Sequence, residues 1–222
     1  MNDRRTNIEN KMTVAPQAGG ADGGSISLTL LDQNLNALSE VDESPAARLR
    51  LVRVEDHFTP AVGRDGHATL RRRLADGSAI WHGRTSMPTI SGPALLEQFE
   101  VGSGNVAFEG IGHGREAVLI LERFASHQVL FILEPDPVAM VGALVLHDLA
   151  RAIRRRRLLL YVDDNPIEAL LKFLIDNPDV APPECFPQWP WREPHEILRF
   201  KRDLEAVHSE LAGRRRRVGG AA

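Results

Sequence analysis

Gly110, Gly112 and Gly114 alternate in the stretch FEGIGHGREAVLILERF, which runs from Phe108 to Phe124. An apolar run precedes these glycines and a helix-like run follows. Glycine lets the backbone pass close to a ligand, and free N–H groups at the start of a helix attract anionic or polar groups. Glu134 follows about twenty positions beyond the last glycine, where a carboxylate can accept hydrogen bonds from both hydroxyls of a ribose. Asp136 belongs to the same strand end. Asp163 or Asp164, after a later strand, would receive the amino group of a base. His113 lies inside the glycine loop, where it would touch a ligand or act as a base. Dinucleotide enzymes and class I methyltransferases use this set of groups. A second account needs no ligand. The glycines then only allow a sharp strand-to-helix corner, His113 is an exposed side chain, and Asp136 and Asp164 cap helices.

These residues need a frame, and the pattern of the chain supplies one. NVAFE (Asn105 to Glu109) reads as a short apolar strand and REAVLILERF as a helix. QVLFILE (Gln128 to Glu134) is a second strand, and a long helix is expected from Pro137 to Ile153, with proline at its first position. RLLLYVD (Arg157 to Asp163) is a third strand. NPIEALLKFLID is a third helix, capped by Asp164 or Asn165 with Pro166 in its first turn. Continuously apolar strands are buried on both faces, as in parallel sheets. Strand–helix alternation at this spacing builds βαβ units. The expected fold is therefore α/β, a Rossmann-like parallel sheet core. In such a sheet, ligands lie beyond the carboxyl ends of the strands. Gly110 to Gly114, Glu134 with Asp136, and Asp163 with Asp164 should converge on that rim.

The flanking segments are read as follows. Residues 1–25 are polar and glycine-rich, and disorder is expected. Residues 26–89 should hold an amphipathic helix, Leu28 to Val41, stopped by Ser44-Pro45, and then a small antiparallel β meander. LRLVRVE (Leu49 to Glu55) alternates apolar and charged residues, as a half-buried strand does. Asp65-Gly66 and Asp76-Gly77 are tight-turn signals, and Arg71 to Arg73 fall on or near a solvent-facing strand. Ser91 is expected to cap a helix from Gly92 to Phe99. The Rossmann-like core spans 90–180. Residues 181–222 comprise a Pro/Trp-rich extended segment, with Trp189 and Trp191, and a C-terminal helix from His195 to about Gly213 whose Ile197, Phe200, Leu204, Val207 and Leu211 share a face.

Composition bounds the partners. Over 222 residues the formal net charge is −3 and 43% of residues are hydrophobic. A sizeable core is affordable, and nothing drives the whole chain toward nucleic acid or an anionic membrane. The arginine runs 71–73, 154–157 and 214–217 read as solvated faces or tails. Cys185 is the single cysteine, so no intrachain disulfide forms and a reducing cytoplasm fits. It lacks an adjacent base and reads as an inert thiol. Val138 to Leu146 is too short to span a bilayer. His147-Asp148 supplies too few ligands for a metal, and no pattern names a cofactor.

A family resemblance covers roughly Leu28 to Ile175. NLNAL (Asn34 to Leu38), a strand-rich segment, GIGHG, EPDPVAM and HDLARAIRRRRLLLYVDD follow in that order. The chain thereby resembles the N-terminal half of motility-associated-factor glycosyltransferases. These bacterial enzymes add nonulosonic acid sugars to flagellin serine and threonine, and their sugar-transfer domain resembles hydroxymethylpterin diphosphokinase-like proteins. The resemblance implies a nucleotide- or nucleotide-sugar-binding or scaffolding domain. In that family the transferase domain comes later, and this chain leaves no room for it before Ala222. The expected partner is therefore a transferase domain encoded downstream or separately. Two other readings stay open: an S-adenosylmethionine-dependent methyltransferase and a non-catalytic interaction module. The former lacks an Asn-Pro-Pro-Tyr signature and has few strands after the third.

Overall fold

A computed structural model describes residues 28–97, 102–186 and 193–219. The expected disorder of residues 1–25, the segment holding Trp189 and Trp191, and the predicted helix end at Phe99 lie outside them.

The first helix, α1 (Leu28–Val41), turns Leu31, Leu35 and Leu38 into the core. The predicted strand over Leu49–Glu55 does not form. Two helices, α2 (Glu43–Arg50) and α3 (Val54–His57), take its place. Asp42 caps α2, its side chain accepting from Ser44 N at 3.0 Å. Pro45 falls in the first turn, where its missing N–H costs no hydrogen bond. A strand would place Leu49 and Leu51 on one face, yet Leu49 is fully buried while Leu51 is 82% exposed. The charged residues that mimic alternation are the solvent sides of two short helices.

The antiparallel meander follows: β1 (Phe58–Val62), β2 (Ala68–Arg73) and β3 (Ala79–Trp81). Both Asp-Gly turns use glycine at positive φ, 79° at Gly66 and 82° at Gly77. Arg71 to Arg73 lie on β2, with the Arg71 guanidinium 5.1 Å from the Trp81 ring centroid. A single 3-10 turn, His82–Arg84, leads to α4 (Pro88–Glu97). Ser91 therefore lies inside that helix rather than at its cap.

The core sheet contains β4 (Val106–Glu109), β5 (Leu130–Leu133), β6 (Leu158–Tyr161) and β7 (Glu184–Cys185). All pairings are parallel and the order is β6-β5-β4-β7. The order reverses between β4 and β7, which makes that crevice the topological switch point. β7 was read from sequence as part of an extended surface segment. It becomes a strand because Phe186 buries its ring against Phe108, with centroids 4.7 Å apart. Glu184 N donates to Asn105 O at 2.9 Å and Phe186 N to Ala107 O at 3.0 Å. Four helices follow the strands: α5 (Arg115–Arg123), α6 (Pro137–Leu146), α8 (Pro166–Asp176) and α9 (Pro194–Gly219), the last reaching beyond the predicted end at Gly213. Phe200, Leu204, Val207 and Leu211 of α9 are buried.

The long helix predicted from Pro137 to Ile153 breaks at His147, and α7 (Ala150–Arg154) resumes after it. A break exposes orphan backbone groups, which must find partners. Asn34 of α1 supplies them and is fully buried. Its Nδ2 donates to Leu144 O and His147 O, both at 2.8 Å, and its Oδ1 accepts from Leu149 N at 2.9 Å. One carboxamide thus satisfies three main-chain groups.

Asn34→Leu strands those groups in an apolar interior, and each buried unsatisfied group costs about 1–3 kcal/mol. Urea unfolding should show a loss on the order of 3 kcal/mol or more. Asn34→Asp should lose nearly as much, because a carboxylate cannot donate to two carbonyls. Wild-type midpoints in both variants would show that the break is held by something else.

Candidate functional site

The glycine rim begins where β4 ends. Gly110, Gly112 and Gly114 adopt φ of 90°, 61° and 92°, values that favour glycine strongly. Gly110 N donates to Leu133 O at 2.8 Å and extends the ladder, and Gly114 N closes a turn onto Ile111 O at 3.1 Å. Every residue from Gly110 to Gly114 is buried. Glu134, 4% exposed, accepts from Ile111 N at 3.1 Å through one oxygen and from Asp136 N at 2.9 Å through the other. It fastens the glycine loop to the end of β5. Asp136 caps α6, accepting from Val138 N at 2.9 Å, and meets Arg72 of β2 at 2.5 Å. The structure therefore brings Gly110, Gly112, His113, Gly114, Glu134 and Asp136 together. Asp163 and Asp164 sit at the same end of the sheet but one strand further out. Both are exposed. Asp163 accepts from Asn165 N at 3.3 Å, Asp164 pairs with Arg48 of α2, and Asn165 rather than either acid caps α8.

The meander and its 3-10 turn close over the loop. A Cβ built on Gly83 would lie 2.3 Å from His113 N, and one on Gly142 would lie 2.6 Å from His82 Cε1 and 2.7 Å from Phe58 Cζ. A Cβ on Gly114 would lie 2.8 Å from both Ala143 Cβ and His147 Cδ2. Only bare backbone fits at these positions. His113, expected at the surface in the ligand-free account, is 2% exposed. Its Nε2 lies 3.0 Å from Thr69 Oγ1 and its Nδ1 lies 3.1 Å from His147 Nε2. The His82 ring is 5.8 Å from that of His113, centroid to centroid. Sequence reading missed Thr69, His82 and the role of His147. Nothing local marks Thr69 or His82, and His147 was weighed only as a metal ligand. Among the described residues no cluster of His, Cys, Asp or Glu is arranged to hold a metal ion.

Burial dominates the electrostatics. It lowers the pKa values of His82, His113 and His147 to about 3, assisted by the other ring charges and by Arg72 or Arg115. All three imidazoles are neutral at pH 7, each with one donor and one acceptor nitrogen. Glu116, in the first turn of α5, is 1% exposed. Burial raises its pKa to about 7, against the opposing pull of the Glu116, His113 and Gly114 amides and the Arg115 charge. The chain thus places its own carboxyl at the helix start where an anionic ligand would sit. Four buried side-chain atoms in this region, His82 Nε2, Ser91 Oγ, Arg115 Nε and Glu116 Oε2, have no hydrogen-bond partner among the described residues. Cys185, on β7, is an unreactive thiol, its pKa pushed up to about 11 by burial.

The pH dependence follows from these shifts. The unfolded chain binds protons at the three histidines below about pH 6.5, and the fold refuses them until about pH 3. Stability should fall as pH drops through that window. Glu116 acts in the opposite sense: its unfavourable ionisation grows from about pH 4.5 to about 7. Glu116→Gln should therefore gain stability over wild type at pH 8 but not at pH 4.5. Urea midpoints at both values test this, and a pH-independent difference would contradict it.

No family model matches the chain, and a search of curated proteins gives no match. Among solved structures, the MAf glycosyltransferase from Magnetospirillum magneticum AMB-1 is similar in fold, with a TM-score of 0.54 at 15% identity. The likeness covers 82% of this chain and 36% of that one, so the chain spans about a third of its structural neighbour. The likeness is one of fold; in this chain that fold is a mixed α/β arrangement with a four-stranded parallel sheet, a three-stranded antiparallel sheet and a C-terminal helix.

Proposed function

We propose that this chain is a glycosyltransferase-related scaffolding domain, and that its glycine rim serves as a structural corner rather than a substrate pocket. The observation that carries this reading is the commitment of Glu134. Both of its oxygens hold main-chain amides of the rim, at 3.1 and 2.9 Å. A ribose would have to displace those bonds from a residue that is 4% exposed. The close approach of Gly83 to His113 supports the same view, since the meander fills the space above the loop. The likeness to a glycosyltransferase more than twice this length supports a role beside a transferase domain. In that role the domain is bacterial and cytoplasmic, works beside a transferase domain encoded downstream or separately, and belongs to flagellin glycosylation. Methyl transfer from S-adenosylmethionine is disfavoured on the same ground, because it needs the Glu134 carboxylate free.

One observation favours a second reading, in which the rim takes a nucleotide or nucleotide sugar. Buried polar atoms of His82, Ser91, Arg115 and Glu116 have no partner among the described residues, and a ligand admitted by movement of the His82–Arg84 turn would meet such groups. Asp136 and His113 would then join the ligand set, with Asp163 and Asp164 reached only by an extended molecule.

Calorimetric titration separates the readings. The panel is cytidine monophosphate, a cytidine-activated nonulosonic acid, S-adenosylmethionine and S-adenosylhomocysteine. The scaffolding reading expects no binding, and Glu134→Ala should lower stability by about 1–3 kcal/mol for each of the two stranded amides. Binding of the cytidine compounds, weakened roughly tenfold to a hundredfold in Glu134→Ala, would establish the second reading and sink the first. Binding of the S-adenosyl pair would sink both.

A further inference from the structure

The short segment from His82 to Thr85 bridges two fixed points. Trp81 is held in the meander opposite Arg71, and Ser86 O accepts from Arg64 N at 2.6 Å. Beyond Ser86, Asp65 anchors Thr89 by accepting from its N and its Oγ1, both at 2.8 Å. Between these points the chain lies directly on the glycine loop, so close that a Cβ on Gly83 would stand 2.3 Å from His113 N. Among the described residues no hydrogen bond joins this turn to that loop.

The closed position carries two costs. Gly83 and Arg84 are both left-handed, with φ of 63° and 56°. Glycine enters this region freely, but arginine enters it against its own Cβ. The Arg84 side chain gains little in return: it is 59% exposed, and the Glu193 carboxylate lies 3.9 Å away. The second cost falls on His82. Its ring packs edge-on against Phe58 of β1 and fills the space beside Gly142 of α6, and its buried Nε2 has no partner among the described residues. Arg72 of β2, the His113 ring of the loop and the His147 ring after α6 are the charged or titratable groups that face it. None is acidic, so the closed position has nothing to receive a protonated imidazole. A ring released into water regains its hydrogen bonds and its ordinary affinity for a proton.

We propose that residues 82–85 form a lid, hinged at Trp81 and Ser86, that lifts from the glycine loop while both sheets stay folded, and that acid favours the lifted position through His82. Lifting withdraws the His82 ring, lets Arg84 leave the left-handed region and bares the backbone of His113. His82 takes up one proton as it emerges, so the open fraction should rise about tenfold for each pH unit below about 6.5. The lid is a property of the covering turn and holds whichever reading of the rim is correct.

Amide hydrogen exchange, followed by NMR on the full chain, tests the lid. His113 lies under the turn and reports its opening, whereas Ile132, fully buried in β5, reports global unfolding. After correction for intrinsic rates, His113 should exchange at least about tenfold faster than Ile132 at pH 6.5. Its opening constant should climb about tenfold between pH 6 and pH 5. His82→Gln keeps a polar side chain that takes up no proton, and it should abolish the climb. Arg84→Gly removes the left-handed strain and should lower the opening constant about fivefold. Gly83→Ala forces a Cβ against His113 N and should raise that constant about tenfold or more; if this variant fails to fold, the other two decide. The proposal is overturned by His113 exchange no faster than that of Ile132, or by a climb with acid that survives His82→Gln. It is equally overturned if Arg84→Gly leaves the opening constant unchanged or raises it, or if folded Gly83→Ala exchanges like wild type.

Discussion

The architecture depends on how one buried carboxamide ends a helix. Asn34 meets Leu144 O, His147 O and Leu149 N within 3 Å, and so α6 can stop at Leu146 inside the protein. That stop turns the His147 ring toward the loop rather than along a continuing helix. His147 meets His113, His113 meets Thr69, and Thr69 belongs to the meander. A polar chain thus runs from the N-terminal helix, through the break in the α6–α7 segment, to the glycine loop and the antiparallel sheet. A buried polar network is worth having only when its members are satisfied. The main-chain groups of this one are, and that makes the N-terminal helix integral to the rim rather than an appendage.

Close packing completes what the hydrogen bonds begin. Gly83, Gly114 and Gly142 each stand where a Cβ would clash with backbone, an aromatic ring or an imidazole. The backbone therefore packs closely here, and the burial of the three imidazoles is what keeps them neutral. Burial likewise raises Glu116. The rim is therefore shaped like a ligand loop but filled by the protein: the meander covers it from above, Glu134 holds it from the side, and Glu116 occupies the helix start. Open space appears instead beside β6, in a groove of about 580 Å³ between the α1–α2 corner and α8.

Two features of the same sheet point to different uses. At the carboxyl ends of β4 and β5, the polar groups are turned inward and used for architecture. Beyond β6, the side chains of Asp163 and Asp164 face solvent, the latter paired with Arg48. A domain that recognises another chain needs the second kind of surface. A domain that processes a small molecule needs the first kind, opened.

The sequence by itself determined the elements whose cause is local. Apolar runs of four or five residues made the three consecutive strands, Pro137 and Pro166 opened their helices, and both Asp-Gly pairs made their turns. These depend on periodicity and backbone sterics, which a short window contains. The glycine loop was legible as a positive-φ corner, and the pairing of Glu134 with that loop was legible from spacing. The amides of Ile111 and Asp136 as partners of Glu134 were not, because they depend on how the loop folds against the end of β5. Only the tertiary structure decided that. It also turned LRLVRVE into helices by burying Leu49 and exposing Leu51, broke α6 from α7 through a residue more than a hundred positions away, and made a strand of Glu184–Cys185 because β4 had a free edge. In each case the deciding partner was distant in sequence, and burial, not propensity, chose the outcome.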